Sequence, residues 1–288
     1  MASAGKLRAP DAPIKGQQVN DEQQAKYTHG HHESVLRSHQ RRTAEDSAGY
    51  LLPYLEPGLS LLDVGCGPGT ITADLAARVG PGSVTAVDQF ADVLNVARAE
   101  VQQRDLSNVS FATADVHRLD FPDDSFDVVH AHQVLQHVAD PVQALGEMRR
   151  VCVPGGIVAA RDADYSGFIW FPRLPALDFW RDIYQQAARA NGGEPDAGRR
   201  LLSWAIEAGF DDITPTGSLW CYATPATREW WGAMWADRIL HSGVARELLA
   251  FGLATVAQLE EISAAWRAWA AAPDGWLAIP HGEIICRV

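Results

Sequence analysis

Short apolar runs alternate with stretches of helical periodicity through the middle of this chain. Residues 61–64 form an apolar run that turns on glycines into a helical pattern over 71–78, and 83–88 forms a second run, ending on Asp88 ahead of a helical pattern over 91–104. Further runs at 109–114, 126–131 and 157–161, with a helical stretch at 141–152 before the last, continue the series. Strands and helices alternating in this way predict a doubly wound α/β sheet. Beyond residue 165 the pattern changes. An amphipathic helix is expected over 174–191, stopped by Asn191-Gly192-Gly193, then a helix over 200–208 and strands over 213–222 and 276–288. A second helical insertion, about 224–272, separates those two strands, and a first insertion covers 166–198. At the other end, residues 1–26 have little to bury and are expected to form a disordered arm. Residues 34–55 read as a helix, broken near Pro53 and ended by Pro57-Gly58.

The candidate chemistry concentrates at Leu61-Leu62-Asp63-Val64-Gly65-Cys66-Gly67-Pro68-Gly69-Thr70. Glycines at alternate positions let the backbone turn tightly and approach a ligand with no Cβ in the way. The following helix points free N–H groups into the same crevice. This is the nucleotide-binding corner of a doubly wound sheet. A dinucleotide fingerprint starting at Gly65 and Gly67 would need glycine or alanine at position 70, where the chain has Thr70; the third glycine falls at Gly69 instead. Asp88, 19 residues after Gly69, stands near the place where such folds put a carboxylate that accepts from ribose hydroxyls; capping of the next helix is the alternative.

At 288 residues the chain suits one α/β domain with an insertion or cap, and an apolar fraction of 47% supplies a core. No apolar run approaches a membrane span and residues 1–26 lack a secretory signal, so a cytoplasmic location is expected. The four cysteines have no C-x-x-C spacing and read as free thiols. The net charge of −12 is uneven: residues 1–42 carry +3 and the remainder −15. An acidic body argues against nucleic acid as a partner and, less strongly, against anionic membranes. Tyr27, His29, His31, His32 and Glu33 together look like metal ligands. No second cluster closes a coordination sphere, and no metal is expected.

Asp63, Gly65, Gly67 and Gly69 complete a D-x-G-x-G-x-G pattern that resembles motif I of the class I S-adenosylmethionine (SAM)-dependent methyltransferases. The resemblance runs from 61 to 161. His132-Gln133-Val134-Leu135-Gln136-His137, together with Glu147-Met148-Arg149-Arg150-Val151 before Pro154-Gly155-Gly156, is similar to the ubiquinone/menaquinone-biosynthesis-type small-molecule methyltransferases. It implies a Rossmann-like seven-stranded sheet whose last strand is antiparallel at the sheet edge, a SAM-binding core over 59–165, and a lid over 27–58. SAM would be the cofactor and S-adenosylhomocysteine the product. Asp63, Gly65, Cys66, Gly67 and Gly69 would receive its amino-acid end. Asp88 and Gln89 would border the ribose and adenosine, Asp115 and Val116 the adenine, and Tyr27, His130 and His132 would lie nearby. A small-molecule acceptor is expected, with neither nucleic acid nor stable membrane insertion; a homodimer is left open. The alternative is a SAM-binding protein that transfers no methyl group.

Ten tryptophans are many for this length. Trp204 and Trp269, on amphipathic faces, read as core, whereas Tyr165, Trp170, Phe171, Trp230 and Trp231 are candidate acceptor contacts near element ends. An aromatic-lined cavity suits an apolar or planar acceptor, or a cationic one held over ring faces. Methyl transfer needs alignment, exclusion of water and, for some acceptors, proton removal. His31, His132 and His137 are the candidate bases, with Asp162 on the same sheet edge; His117 and His281 read as solvent or structural histidines.

Overall fold

The computed structural model describes residues 41–288. A one-turn helix α1 (Ala44–Ser47), opened by a Thr43 capping box, and a 3₁₀ turn at Leu52–Tyr54 lead into the sheet. Within 41–55 the helix expected over 34–55, with a break near Pro53, is therefore reduced to these two short pieces. Ala48 already leaves helical geometry, and a Cβ at Gly49 would press on the Glu45 carbonyl at 2.7 Å. The arm, Tyr27 and the histidines at 29, 31 and 32 lie outside the described residues.

Strands β1 (Leu61–Val64), β2 (Val84–Asp88), β3 (Val109–Thr113), β4 (Phe126–His132) and β5 (Cys152–Ala163) pair in parallel in the order β3-β2-β1-β4-β5. Helices α2 (Thr70–Val79), α3 (Ala91–Gln103) and α4 (Pro141–Val151) make the crossovers. All four residues of β1 are buried, including Asp63, as expected for a central strand covered on both faces. β5 begins before Pro154-Gly155-Gly156 rather than after it. Its register with β4 shifts between Phe126 and Val128, which takes up those residues as an irregularity.

β8 (Trp276–Arg287) is antiparallel to β5. It lies inside the sheet, because β7 (Asp212–Tyr222) pairs along its other side and forms the outer edge. A three-residue strand β6 (Ile169–Phe171), read from sequence only as an aromatic cluster, extends the β5 side of β8. α5 (Pro175–Ala190) and α6 (Leu201–Glu207) follow β6, and α7 (Pro225–His241), α8 (Gly243–Ala250) and α9 (Val256–Ala271) connect β7 to β8.

These insertions bring their own core. Trp180 of α5 meets Trp235 of α7 at 4.6 Å and Trp266 of α9 at 4.9 Å between ring centroids, both edge to face, and Trp269 and Leu177 close the cluster. Edge-to-face rings of this size add to the burial of their large apolar area. The helices thus form a cap fixed to the sheet end through β6 and β8.

Candidate active site

The three glycines between β1 and α2 all have positive φ, and each has a different physical reason to be glycine. A Cβ on Gly65 would collide with Val134, and one on Gly69 would sit 2.8 Å from the Ala97 backbone of α3. A Cβ on Gly67 would meet none of the described residues within 4 Å. Among the described residues no side chain caps the α2 N-terminus, which begins at this loop.

Asp63 ties the corner together from below. Its Oδ2 accepts from the Thr72 hydroxyl in the first turn of α2 (2.5 Å), and its Oδ1 lies 2.8 Å from His130 Nδ1. A carboxylate only accepts, so Nδ1 carries the proton. Both residues are buried, at 3% and 0% exposure, so they set the shape of the loop from inside the sheet. Asp88 does the same from β2: Oδ2 accepts from Gly67 N–H and Oδ1 from Phe90 N–H, both at 3.1 Å. Gln89 is exposed beside it. Asp115 Oδ1 accepts from His117 N–H at 2.9 Å, and Val116 is buried in the core next to β1. Burial, reinforced by Asp63 and Asp88, pushes the Cys66 thiol well up, which makes it a packing group rather than a nucleophile.

After β4 the chain turns at Gln133, which has φ of 54°. Left-handed backbone at a residue other than glycine costs free energy and tends to mark functional sites. Here the turn puts Val134 against Gly65 while Gln133 lines a separate cavity of about 240 Å³. The aromatic wall is Tyr165, Phe168, Trp220, Tyr222, Trp230, Trp231 and Trp235. Gln133 is held in place by His281 of β8. The neutral His281 donates from Nδ1 to the Ile279 carbonyl (3.0 Å) and accepts at Nε2 from Gln133 Nε2 (2.9 Å). Burial is the main cause that keeps His281 neutral, with Arg161 the next.

Of the candidate acceptor contacts, Tyr165, Trp230 and Trp231 line this cavity; Trp170 and Phe171 do not. Trp170 is 6% exposed within the cap core, while Phe171, its neighbour on a strand, faces the other way and is 52% exposed. Trp204 and Trp269 are core, as expected. Sequence reasoning passed over Trp220 and Tyr222. Their spacing along β7 puts both on one face, and that was the available signal.

The candidate bases separate. His137 lines the cavity, and burial, aided by Arg42, pushes its pKa down to about 3. His132 is buried between Trp220 and His281, with ring centroids at 5.7 and 6.3 Å, and is kept neutral by burial first and Arg161 second. Among the described residues, neither of its ring nitrogens has a hydrogen-bond partner. Asp162, also buried, accepts from Gln136 N–H and is pushed up to about 7 by burial, but does not line the cavity.

The comparisons with known proteins meet at this site. The methyltransferase-domain family matches residues 55–193. An uncharacterized methyltransferase of Schizosaccharomyces pombe is 34% identical over 270 residues, spanning 90% of this chain and 95% of that protein. The Aspergillus luteorubrus protein ltbC, named a probable methyltransferase, is 31% identical over 280 residues, spanning 90% and 96%. The chain is a class I SAM-dependent methyltransferase. Among solved structures, Haemonchus contortus phosphoethanolamine N-methyltransferase 2, in complex with phosphomonomethylethanolamine and S-adenosylhomocysteine, superposes with a TM-score of 0.54 at 19% identity over 83% of this chain and 52% of that one. At that identity the likeness is one of fold. The positive-φ glycine loop, where a Cβ at Gly67 would meet none of the described residues within 4 Å, fits SAM as the cofactor of this methyltransferase. Among the described residues no helix is long and apolar enough to cross a membrane.

Proposed function

We propose that this methyltransferase acts on a small-molecule acceptor with an apolar or aromatic body, seated in the cavity beneath the cap. The observation that carries this reading is the aromatic cavity itself, which begins at Gln133, one residue from the Val134 contact with the glycine loop. SAM supplies a methyl group already bonded to a good leaving group. The protein's own tasks are to hold the two reactants in line and to keep water out. Asp88 accepts from the ribose hydroxyls, Asp115 and Val116 border the adenine, and Gly67 leaves room for the amino-acid end. Asp63 and His130 act one step removed, by fixing the loop. The cap, built on the tryptophan core, closes the cavity over the acceptor.

Two outcomes test this division. Asp88→Ala removes a charge-assisted acceptor, a loss of about 2–3 kcal/mol of binding. SAM affinity by calorimetry is expected to fall by roughly thirty- to a hundredfold; unchanged affinity contradicts the assignment. Trp230→Ala, at a half-buried wall position, is expected to weaken acceptor binding by about tenfold or more while SAM affinity and melting temperature hold. Trp170→Ala is the control. It opens a hole in the cap core and lowers the melting temperature first. If Trp230→Ala melts as early as Trp170→Ala and loses SAM as well, the wall is core and the acceptor lies elsewhere.

A further inference from the structure

The sheet has a second apolar face that the cap does not cover. In the register of the last three strands, Ile169 lies opposite Ala278, Phe171 opposite Trp276, Cys221 opposite Ala278 and Leu219 opposite Pro280. Directly opposed residues share a face, so these side chains make one surface across β6, β8 and β7, with no charge among them. The residues between them, Trp170, Leu277, Ile279 and Tyr222, face the other way and pack in or against the cap core. Further along the same face, Ile284 and Cys286 are buried with Leu201, Trp204 and Ala205 of α6. Beyond them the surface is open: Ile169 is 59% exposed, Phe171 52%, Leu219 61% and Trp276 38%, and Cys221 is exposed.

Ile169-Trp170-Phe171, Leu219-Trp220-Cys221-Tyr222 and Trp276-Leu277-Ala278-Ile279-Pro280 are unbroken apolar runs. An antiparallel sheet with one face in water alternates apolar with polar residues, whereas strands covered on both faces read as continuous apolar runs. The area is that of an interface. At about 200 Å² for a large side chain, the four exposures leave roughly 400 Å² of apolar surface, near the apolar share of the ~800 Å² that a standard interface buries on each partner. Charge narrows the occupant. A net charge of −12 sets other copies of the chain, and anionic surfaces, against most of the molecule, but this face is neutral. Exposed Arg173 and Asp274, two residues beyond Phe171 and two before Trp276, add one charge of each sign beside it. A two-fold contact needs a surface that matches only itself, and a neutral face flanked by both signs does so.

We infer that this face is the contact between two copies of the chain, packed sheet on sheet about a two-fold axis. The facing strands of the two copies then lie about 10 Å apart, with their apolar side chains interdigitated. The contact covers the back of the platform whose front carries the cap core. The aromatic cavity is lined from the opposite face of the same strands, by Trp220, Tyr222 and Ile279, so pairing does not obstruct it.

The test is sedimentation equilibrium of the full chain, which is expected to dimerise with a dissociation constant of about a micromolar or less. Phe171→Glu and Leu219→Glu bring two carboxylates into the apolar contact and are each expected to weaken it by about a hundredfold. Val256→Glu, at a comparably exposed apolar position at the start of α9, should leave it unchanged. A cooperative melt and retained SAM affinity show that the variants fold. Cys221 gives a second reading that needs no substitution. It is exposed while the other three cysteines are buried, so maleimide should label it about tenfold or more faster in dilute, monomeric protein than in the dimer. A chain that stays monomeric at about a hundred times the expected constant overturns the proposal. So does a dimer that both glutamate variants leave intact, or Cys221 labelling that does not change with concentration. Monomers that float with phosphatidylcholine vesicles, and lose that behaviour in Phe171→Glu, also overturn it by giving the face to a lipid surface.

Discussion

Gly67→Val is expected to abolish measurable SAM binding while the protein stays folded. Two facts act together. The position has φ of 53°, a conformation that a β-branched residue adopts only under strain, at a cost of about 1–2 kcal/mol. Its side chain would meet none of the described residues within 4 Å, and on the proposed assignment it would enter the space the cofactor needs. SAM affinity should therefore fall by more than about a hundredfold, or 2.7 kcal/mol, with a melting transition that is lowered but cooperative. Gly69→Val gives the contrast. Its Cβ would meet the Ala97 backbone at 2.8 Å, so α2 and α3 must separate, and overpacking of about 1–3 kcal/mol adds to the cost of φ at 84°. That variant is expected to lose stability first and SAM binding with it. Equal melting temperatures for the two variants, or normal SAM binding by Gly67→Val, would show that the crevice has been misassigned.

The second large effect is expected at Arg161. It lies in register with Glu283 across β5 and β8, and Glu283 lies in register with Thr216 of β7. Arg161 Nε donates to Glu283 Oε1 at 3.1 Å, and the two residues are 1% and 6% exposed. The hydroxyls of Ser218 and Thr216 donate to the same carboxylate at 2.5 and 2.9 Å. Removing one member of a buried pair leaves the other charge without compensation, typically a loss of about 3–5 kcal/mol. Arg161→Met should lose stability on that scale in urea unfolding. The double variant with Glu283→Leu should recover most of it, because two apolar side chains fill the site with no charge to solvate. Since Arg161 also lies over Trp220, the single variant should loosen one wall of the cavity. A neutral single variant would mean that the hydroxyls alone satisfy Glu283.

The glycine corner was legible in the sequence because its determinants are local. Asp63 to Gly69 is one strand end and one turn, and the distance on to Asp88 is one helix and one strand. The aromatic cavity was only partly legible, for reasons visible in particular residues. The cavity is assembled from Arg41 and Arg42, the Gln133 turn, the edge strand β7 and the cap helix α7, segments that meet only through the fold. The turn at Gln133 depends on a left-handed backbone at a residue whose identity does not demand it. Trp170 and Trp230 look alike in sequence, each near an element end, yet one faces the cap core and the other the cavity. The helix expected over 34–55 is interrupted in its described part because α1 leaves helical geometry at Ala48, ahead of the break expected near Pro53.

On the proposed reading, cofactor and acceptor occupy adjacent pockets that meet at the Gln133-Val134 turn. A crystal structure of the full chain with S-adenosylhomocysteine tests it most directly. The account predicts the ribose against Asp88, the amino-acid end over Gly67 and the sulfur facing Gln133 and the aromatic cavity. A cofactor bound at the glycine loop with its sulfur turned away from that cavity, or a cofactor moiety filling the cavity between Tyr222 and Trp231, would contradict it.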